Sequence, residues 1–165
     1  MITIGIDPGA KYTGVSVRQN NTVLVSSTYV KPEEKPQVAW AVELGDKIEQ
    51  DITSKFPNAP IGIEGISDPK GFQGGKRAPI NPKHIIKAAI VLGALAKKFP
   101  NAVIVKSGKN GNQDWYPEEL IGRRPKDLQG SAEGAGTRNH ERSAFDVAGE
   151  VEGYLNNNYV LDELT

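Results

Sequence analysis

The sequence predicts an α/β fold: a five-stranded mixed sheet flanked by helices. Three observations predict it. Alternating apolar segments follow one another closely over residues 2–29, separated by turn residues, as an antiparallel meander requires. Helix-period segments then alternate with short apolar strands, the pattern of crossover connections and parallel pairing. Two strands, Ile4-Gly5-Ile6-Asp7 and Ile61-Gly62-Ile63-Glu64, each close on a carboxylate followed by a turn.

The elements follow in order. Ile2, Ile4 and Ile6 alternate with small or polar residues in a half-buried first strand, and Pro8-Gly9 turns the chain just past Asp7. Gly14 to Val17 alternates again and returns beside it. Thr22 to Tyr29 forms the third strand, joined through Asn20-Asn21. Trp40, Leu44, Ile48, Ile52 and Phe56 recur every fourth position, giving an amphipathic helix from about Gln37 to Phe56 that Pro57 and Pro60 close. The strand Ile61–Glu64 comes after that crossover and so runs parallel to the first. Both acids then stand at the carboxyl edge of the sheet, where parallel sheets place their sites. An ordinary turn acid is the competing reading of Asp7.

Asp68 to Lys83 carries Gly and Pro throughout and reads as a long loop beside Glu64. His84 to Phe99 is a helix, apolar nearly all round between Ile85 and Ala96 except at Lys87, as expected where a helix is covered on two sides, in a domain this small by a partner subunit on the second. His84 reads as structural. Ala102 to Lys106 is the fifth strand. Ser107 to Asn139 has little periodicity, with a helical patch around Trp115-Tyr116-Pro117 and Leu120-Ile121, and Gly130 to Thr137 reads as a small-residue linker. The last helix runs from Asn139 to about Leu155 on a stripe of Ala144, Ala148, Val151 and Leu155.

Length fits a single domain over residues 1–165. There is no cysteine, so a metal would need carboxylates or histidine. No stretch is apolar enough to span a membrane, and the chain opens into a strand rather than a signal peptide, so a cytoplasmic location is expected. Net charge is +0, yet residues 68–142 hold 14 basic against 7 acidic side chains. A basic middle on a neutral chain can make a local phosphate-binding face.

Gly5-Ile6-Asp7-Pro8-Gly9, Thr13-Gly14, Ile63-Glu64 and His140-Glu141-Arg142-Ser143-Ala144-Phe145-Asp146, in this element order, resemble RuvC-type Holliday junction resolvases, particularly the compact phage-like members of the RNase H-like superfamily. The resemblance covers most of the chain. It implies an RNase H-like sheet and metal-dependent phosphodiester hydrolysis by two Mg²⁺ or Mn²⁺ ions. Asp7 would bridge the ions and Glu64 bind one. The family's remaining pair, an acid or His and then Asp three residues on, opens the final helix.

Here the sequence departs. Aligning His140 with the first of the pair puts Ser143 at the second. A shift of one turn pairs Ser143 with Asp146, which keeps a carboxylate but turns Asp146 about 160° from the apolar stripe. His140 is the expected site residue and Asp146 the expected acid and metal ligand, with Glu141 and Ser143 as further candidates. The resemblance also implies a homodimer acting on branched DNA: four-way junctions, forks and flaps. Its DNA-binding candidates are Lys11, Lys76, Arg77, Lys106, Lys109, Arg123, Arg124, and Phe72 as a wedge or stacking residue. Three other readings compete. A phosphotransferase of the actin and sugar-kinase class would need a second domain and a second phosphate loop. An RNase H-like nucleic-acid-binding module with a decayed site is kept open by Ser143. A resolvase-like nuclease in RNA processing is the third.

Overall fold

The structure, a computed structural model, describes residues 1–66, 82–106, 116–121 and 132–156, with side chains at all of these except 118, 121, 132–138 and 156. Strands β1 (Ile2–Asp7), β2 (Tyr12–Gln19) and β3 (Thr22–Val30) form the antiparallel meander. Asn20 takes φ 52° in the tight turn between β2 and β3, a conformation Asn tolerates better than most residues. Helix α1 (Gln37–Asp51) crosses to β4 (Ile61–Glu64), and α2 (Pro82–Lys98) crosses to β5 (Val103–Val105). Both added strands pair in parallel, and the sheet order is β3-β2-β1-β4-β5. Short α3 (Glu118–Ile121) and long α4 (Ala132–Asn156) complete the fold.

Strand alternation sorts the side chains into two layers. Ile4, Ile6, Val15, Val17 and Ile63 face α1 and α2 and pack with Trp40, Leu44, Ile48, Val91 and Leu95 in the main core. Thr3, Gly5 and Asp7 face the opposite way, toward α4. On this second face the packing is much closer. A Cβ on Gly5 would stand 1.9 Å from the backbone oxygen of Ala144, and one on Gly14 would stand 2.2 Å from that of His140. Only hydrogen fits between strand and helix at these two crossings, so α4 lies directly on the sheet backbone. Thr3 Oγ1 donates to the Ala148 carbonyl at 2.7 Å and Arg18 Nη1 to the Phe145 carbonyl at 3.0 Å, which sets the helix along and around its axis.

Two boundaries differ from the sequence reading. The first helix ends at Asp51, and Thr53–Lys55 continues as a 3₁₀ turn, so Ile52 stays in the core while Phe56 packs at its margin. The last helix starts at Ala132, inside the expected linker. Each glycine there costs about 1 kcal/mol of propensity, but extending an existing helix adds a hydrogen bond per residue and needs no new nucleus. His140 therefore lies well inside α4 rather than at its start. Within the single chain, α2 buries Val91 and Leu95 and leaves Ile86 59% exposed.

The close crossing gives a direct test. Gly5→Ala should lower unfolding free energy by about 3 kcal/mol, at the upper end for overpacking, because the clashing atom is helix backbone and cannot swing aside. Gly93→Ala on α2, with nothing within 4 Å of its Cβ position, should instead gain up to about 1 kcal/mol from helix propensity. Urea unfolding of both variants measures the contrast.

Candidate active site

The register explains how two acids meet. Ile6 pairs with Ile63 across the parallel β1–β4 ladder, so Asp7 and Glu64 are the next residues on each strand and project from the same face, toward α4. Their side chains are hydrogen-bonded to each other. The turn after Asp7 is held by Gly9 N–H donating to Thr13 Oγ1 at 3.3 Å, and a Cβ on Gly9 would meet the Tyr12 carbonyl oxygen at 2.2 Å. Asp7-Pro8-Gly9 thus forms a tight, small-residue floor. His140 lies over it, with its Cε1 3.4 Å from the Gly9 Cβ position.

Helix α4 supplies the remaining groups. His140 Nδ1 is 2.8 Å from Asp7 Oδ2, with 30% and 13% of the two side chains exposed. The Ser143 hydroxyl donates to the Asp7 carboxyl. His140 and Ser143, three apart, share a helix face, and both converge on Asp7. The ring of Tyr12 packs against His140 with centroids 5.9 Å apart.

The electrostatics follow from burial. Desolvation pushes the Asp7 carboxyl up to about 6, against the hydrogen bonds from Glu64 and Ser143, which pull it down. Burial also lowers the His140 pKa, partly offset by the charge of Glu64. At neutral pH Asp7 is therefore a carboxylate held against the cost of its burial, beside a neutral imidazole.

The other residues singled out in the sequence go elsewhere. Asp146, read as the acid, accepts a hydrogen bond from Tyr116. Burial raises its pKa against the pull of Tyr116 and Arg18, with the charges of Glu150 and Glu64 adding to the rise. One helical turn beyond Ser143, it points toward α3 and Arg18, where Tyr116, Leu120 and Phe145 form a small core of their own. Glu141 is 6% exposed and accepts from Ser26 Oγ at 2.7 Å on β3, the far side of β1 from Glu64. Lys11 and Lys106 are exposed, Lys11 in the β1–β2 turn and Lys106 just past β5, both at the carboxyl edge that holds the acids. Phe72, Lys76, Arg77, Lys109, Arg123, Arg124 and the body of the 68–83 loop lie outside the described residues. His84 is exposed at the start of α2, which packs on the sheet face opposite α4. Tyr12 and Thr13 are the site-lining residues the sequence reading did not assign. Their position in the turn directly after Asp7 was the available signal.

The architecture is the RNase H-like one: a five-stranded mixed sheet with its first three strands antiparallel and helices on both faces. Among solved structures it resembles Thermus thermophilus RuvC. The RuvC complex with a Holliday junction substrate aligns at TM-score 0.58 and 15% identity, over 95% of this chain and 96% of that one. A second Thermus thermophilus RuvC structure aligns at TM-score 0.55 and 14% identity, over 96% of this chain and 97% of that one. Neither a family model nor a curated protein sequence matches the chain.

The raised Asp7 pKa has a sign that can be measured. Between about pH 4 and pH 6 the folded state holds a proton that the unfolded chain has released. Stability therefore falls as pH rises through this window, by about 3 kcal/mol in all from this group. His140, with its pKa lowered, works in the opposite sense, so the comparison is with a variant. In metal-free buffer, Asp7→Asn should be more stable than wild type at pH 7. Denaturant titrations at a series of pH values should show the gap closing as pH falls from about 6 to 4.

Proposed function

We propose that this protein is a metal-dependent, structure-selective endonuclease that hydrolyses phosphodiesters in Holliday junctions and related branched DNA. The observation that carries the reading is the meeting of Asp7 and Glu64 at the carboxyl edge of an RNase H-like sheet, with His140 and Ser143 of α4 bonded over Asp7 or beside it. Support for the substrate class comes from the matching RuvC structure, which is described in complex with a Holliday junction.

The donor set fits a divalent cation. Burial opposes ionisation of Asp7, with the Glu64 carboxyl beside it, and a hard, oxygen-seeking ion relieves that cost. Mg²⁺ or Mn²⁺ is the proposed cofactor, held by Asp7 and Glu64. When bound, it supplies positive charge at the phosphoryl oxygens and lowers the proton affinity of a nearby water. The chain's own groups do the rest. Ser143 and His140 fix the orientation of the Asp7 carboxylate. Burial keeps His140 neutral at pH 7, so its Nε2 accepts a proton while Nδ1–H stays on Asp7. Lys11 and Lys106 flank this edge and meet backbone phosphates, which position the duplex without reading sequence.

A homodimer completes the proposal, since two-fold symmetry matches a four-way junction cut on two strands. Val38 and Val42 of α1 are each 61% exposed, and Ile86 of α2 is 59% exposed. Gly45, one turn beyond Val42 on the same helix face, packs against Lys98 of α2, so the valines lie on the side of α1 that adjoins α2. Apolar side chains left open on two adjoining helices are what a second copy would cover. No described helix is long and apolar enough to cross a membrane.

Ser143 favours a second reading, a nucleic-acid-binding module without cleavage, because it puts a neutral hydroxyl where the resolvase pattern has an acid. One assay separates the two. Wild type should cut a four-way junction with Mg²⁺ or Mn²⁺ and leave linear duplex and RNA largely intact. Asp7→Asn and Glu64→Gln should each lose about a thousandfold or more in rate while binding the junction nearly as well. Binding without cutting by wild type would establish the module instead.

A further inference from the structure

The turn that follows Asp7 is gripped from both layers of the fold. On the α4 side, His140 lies over Gly9. On the α1 side, two backbone carbonyls of the turn are held from outside it. Gln37 Nε2 donates to the Ala10 carbonyl at 3.0 Å, and the Lys31 backbone N–H donates to the Lys11 carbonyl at 2.8 Å. Both donors come from the connection between β3 and α1.

That connection is itself fixed. Lys31 Nζ folds back to donate to the carbonyls of Pro32 at 2.9 Å and Lys35 at 2.6 Å. Lys35 forms an ion pair with Glu43 on α1. The Trp40 N–H donates to the Pro36 carbonyl at 3.0 Å, which starts the helix. Gln37 is the first residue of α1 and stands one turn before buried Trp40 and Ala41, so it shares their inward face. A carbonyl only accepts, so the nitrogen of the Gln37 amide is the atom that faces Ala10. Its Oε1 is buried with no partner among the described residues. The bond to the turn is what this side chain supplies.

The side chains that the turn carries make its position matter. Lys11 Nζ stands 5.3 Å from the centre of the Tyr12 ring, and that ring packs on His140 with centroids 5.9 Å apart. His140 Nδ1 in turn meets Asp7 at 2.8 Å. Displacing the turn therefore moves the Lys11 ammonium and loosens the ring that backs the imidazole. Asp7 and Glu64 are set differently, by the β1–β4 ladder, and stay in place.

We propose that Gln37 is a positioning residue for cleavage: from α1, on the opposite face of the sheet to α4, it holds the β1–β2 turn so that Lys11 and Tyr12 keep their places beside His140. The proposal rests on the nuclease reading above and adds to it a residue that touches neither substrate nor metal. Gln37 acts as a hydrogen-bond donor, so a donor at this position is what cleavage requires. A small displacement of aligned groups is enough to slow a reaction severely, even when its origin lies outside the reacting centre.

The test compares three variants of the full chain. Gln37→Glu keeps the shape but sets an oxygen against the Ala10 oxygen. Gln37→Leu keeps the bulk and removes the bond. Gln37→Lys restores a donor on a side chain long enough to reach. The first readout is single-turnover cleavage of a four-way junction with Mg²⁺. The second is the nuclear magnetic resonance signal of the His140 ring in metal-free protein, which the Tyr12 ring shifts; His84, the chain's other histidine, is the internal reference. Gln37→Glu and Gln37→Leu should cut about ten- to a hundredfold more slowly, with junction affinity within about threefold of wild type and Mn²⁺ affinity unchanged. Their His140 signal should move toward that of a free histidine. Gln37→Lys should recover the wild-type signal and a rate within about threefold of wild type. Wild-type rates and an unmoved signal in Gln37→Glu and Gln37→Leu would overturn the proposal and leave the nuclease reading standing. An equal loss in Gln37→Lys would overturn it too, because the donor would not be what matters. Loss of the cooperative urea transition in both Gln37→Glu and Gln37→Leu would overturn it in favour of a role in folding. A wild type that does not cut would overturn the nuclease reading, and the His140 signal would then decide by itself whether Gln37 holds the turn.

Discussion

The contact on which the rest depends is that between α4 and the backbone of β1 and β2. At Gly5 and Gly14 the helix backbone comes so near the strands that a single added carbon would overlap it. An ordinary helix–sheet interface interposes two layers of side chains. Here one layer is missing along the line of crossing, and α4 is lowered by that much. His140 and Ser143 have short reaches from the helix axis. They meet Asp7 only because the helix backbone is this close to the strand that carries it.

That proximity also fixes orientation. Thr3 and Arg18, reaching up from the sheet, hydrogen-bond carbonyls in the middle of α4, and Arg18 lies with its guanidinium 3.9 Å over the Phe145 ring. A helix held at two crossings and by two hydrogen bonds has little freedom to turn. Rotation by one residue, about 100°, would exchange Ser143 for a neighbour and remove a bond from the carboxyl. The polar network around Asp146, Tyr116 and Arg142 serves the same end from the outside. Arg142 donates to the Leu120 carbonyl, which ties α3 to α4 at the far side from the acids.

The opposite face of the sheet does different work. Ile4, Ile6, Val15, Val17 and Ile63 interlock with α1 and α2 in conventional apolar packing, and this core holds the strands in register. Rigid strands are what bring the ends of β1 and β4 together, and with them two carboxyls that would otherwise repel. Burial of Asp7 is destabilising at neutral pH while no cation is present. One face of the sheet thus stabilises the fold, and the other holds a site that opposes folding at neutral pH.

Much of this was legible in residue order. Alternation at Ile2, Ile4 and Ile6 and at Ile61 and Ile63, the four-residue stripe from Trp40 to Ile52, and the Asn20-Asn21 turn are local signals, because strand and helix periods depend only on near neighbours. They determined the RNase H-like layout and put Asp7 and Glu64 at one edge, since a parallel crossover leaves little choice about where two strands end. The final helix was another matter. Its apolar stripe at Ala144, Ala148 and Val151 gave the right face toward the sheet, but the choice between Ser143 and Asp146 was made on charge, which favoured the aspartate. What decided which side chain meets Asp7 was the depth and rotation of α4 on Gly5 and Gly14, together with a Tyr116 hydroxyl that engages Asp146. Those are contacts between residues more than a hundred positions apart, or across an intervening segment. No periodicity encodes them, because they arise only once the sheet and helix are stacked.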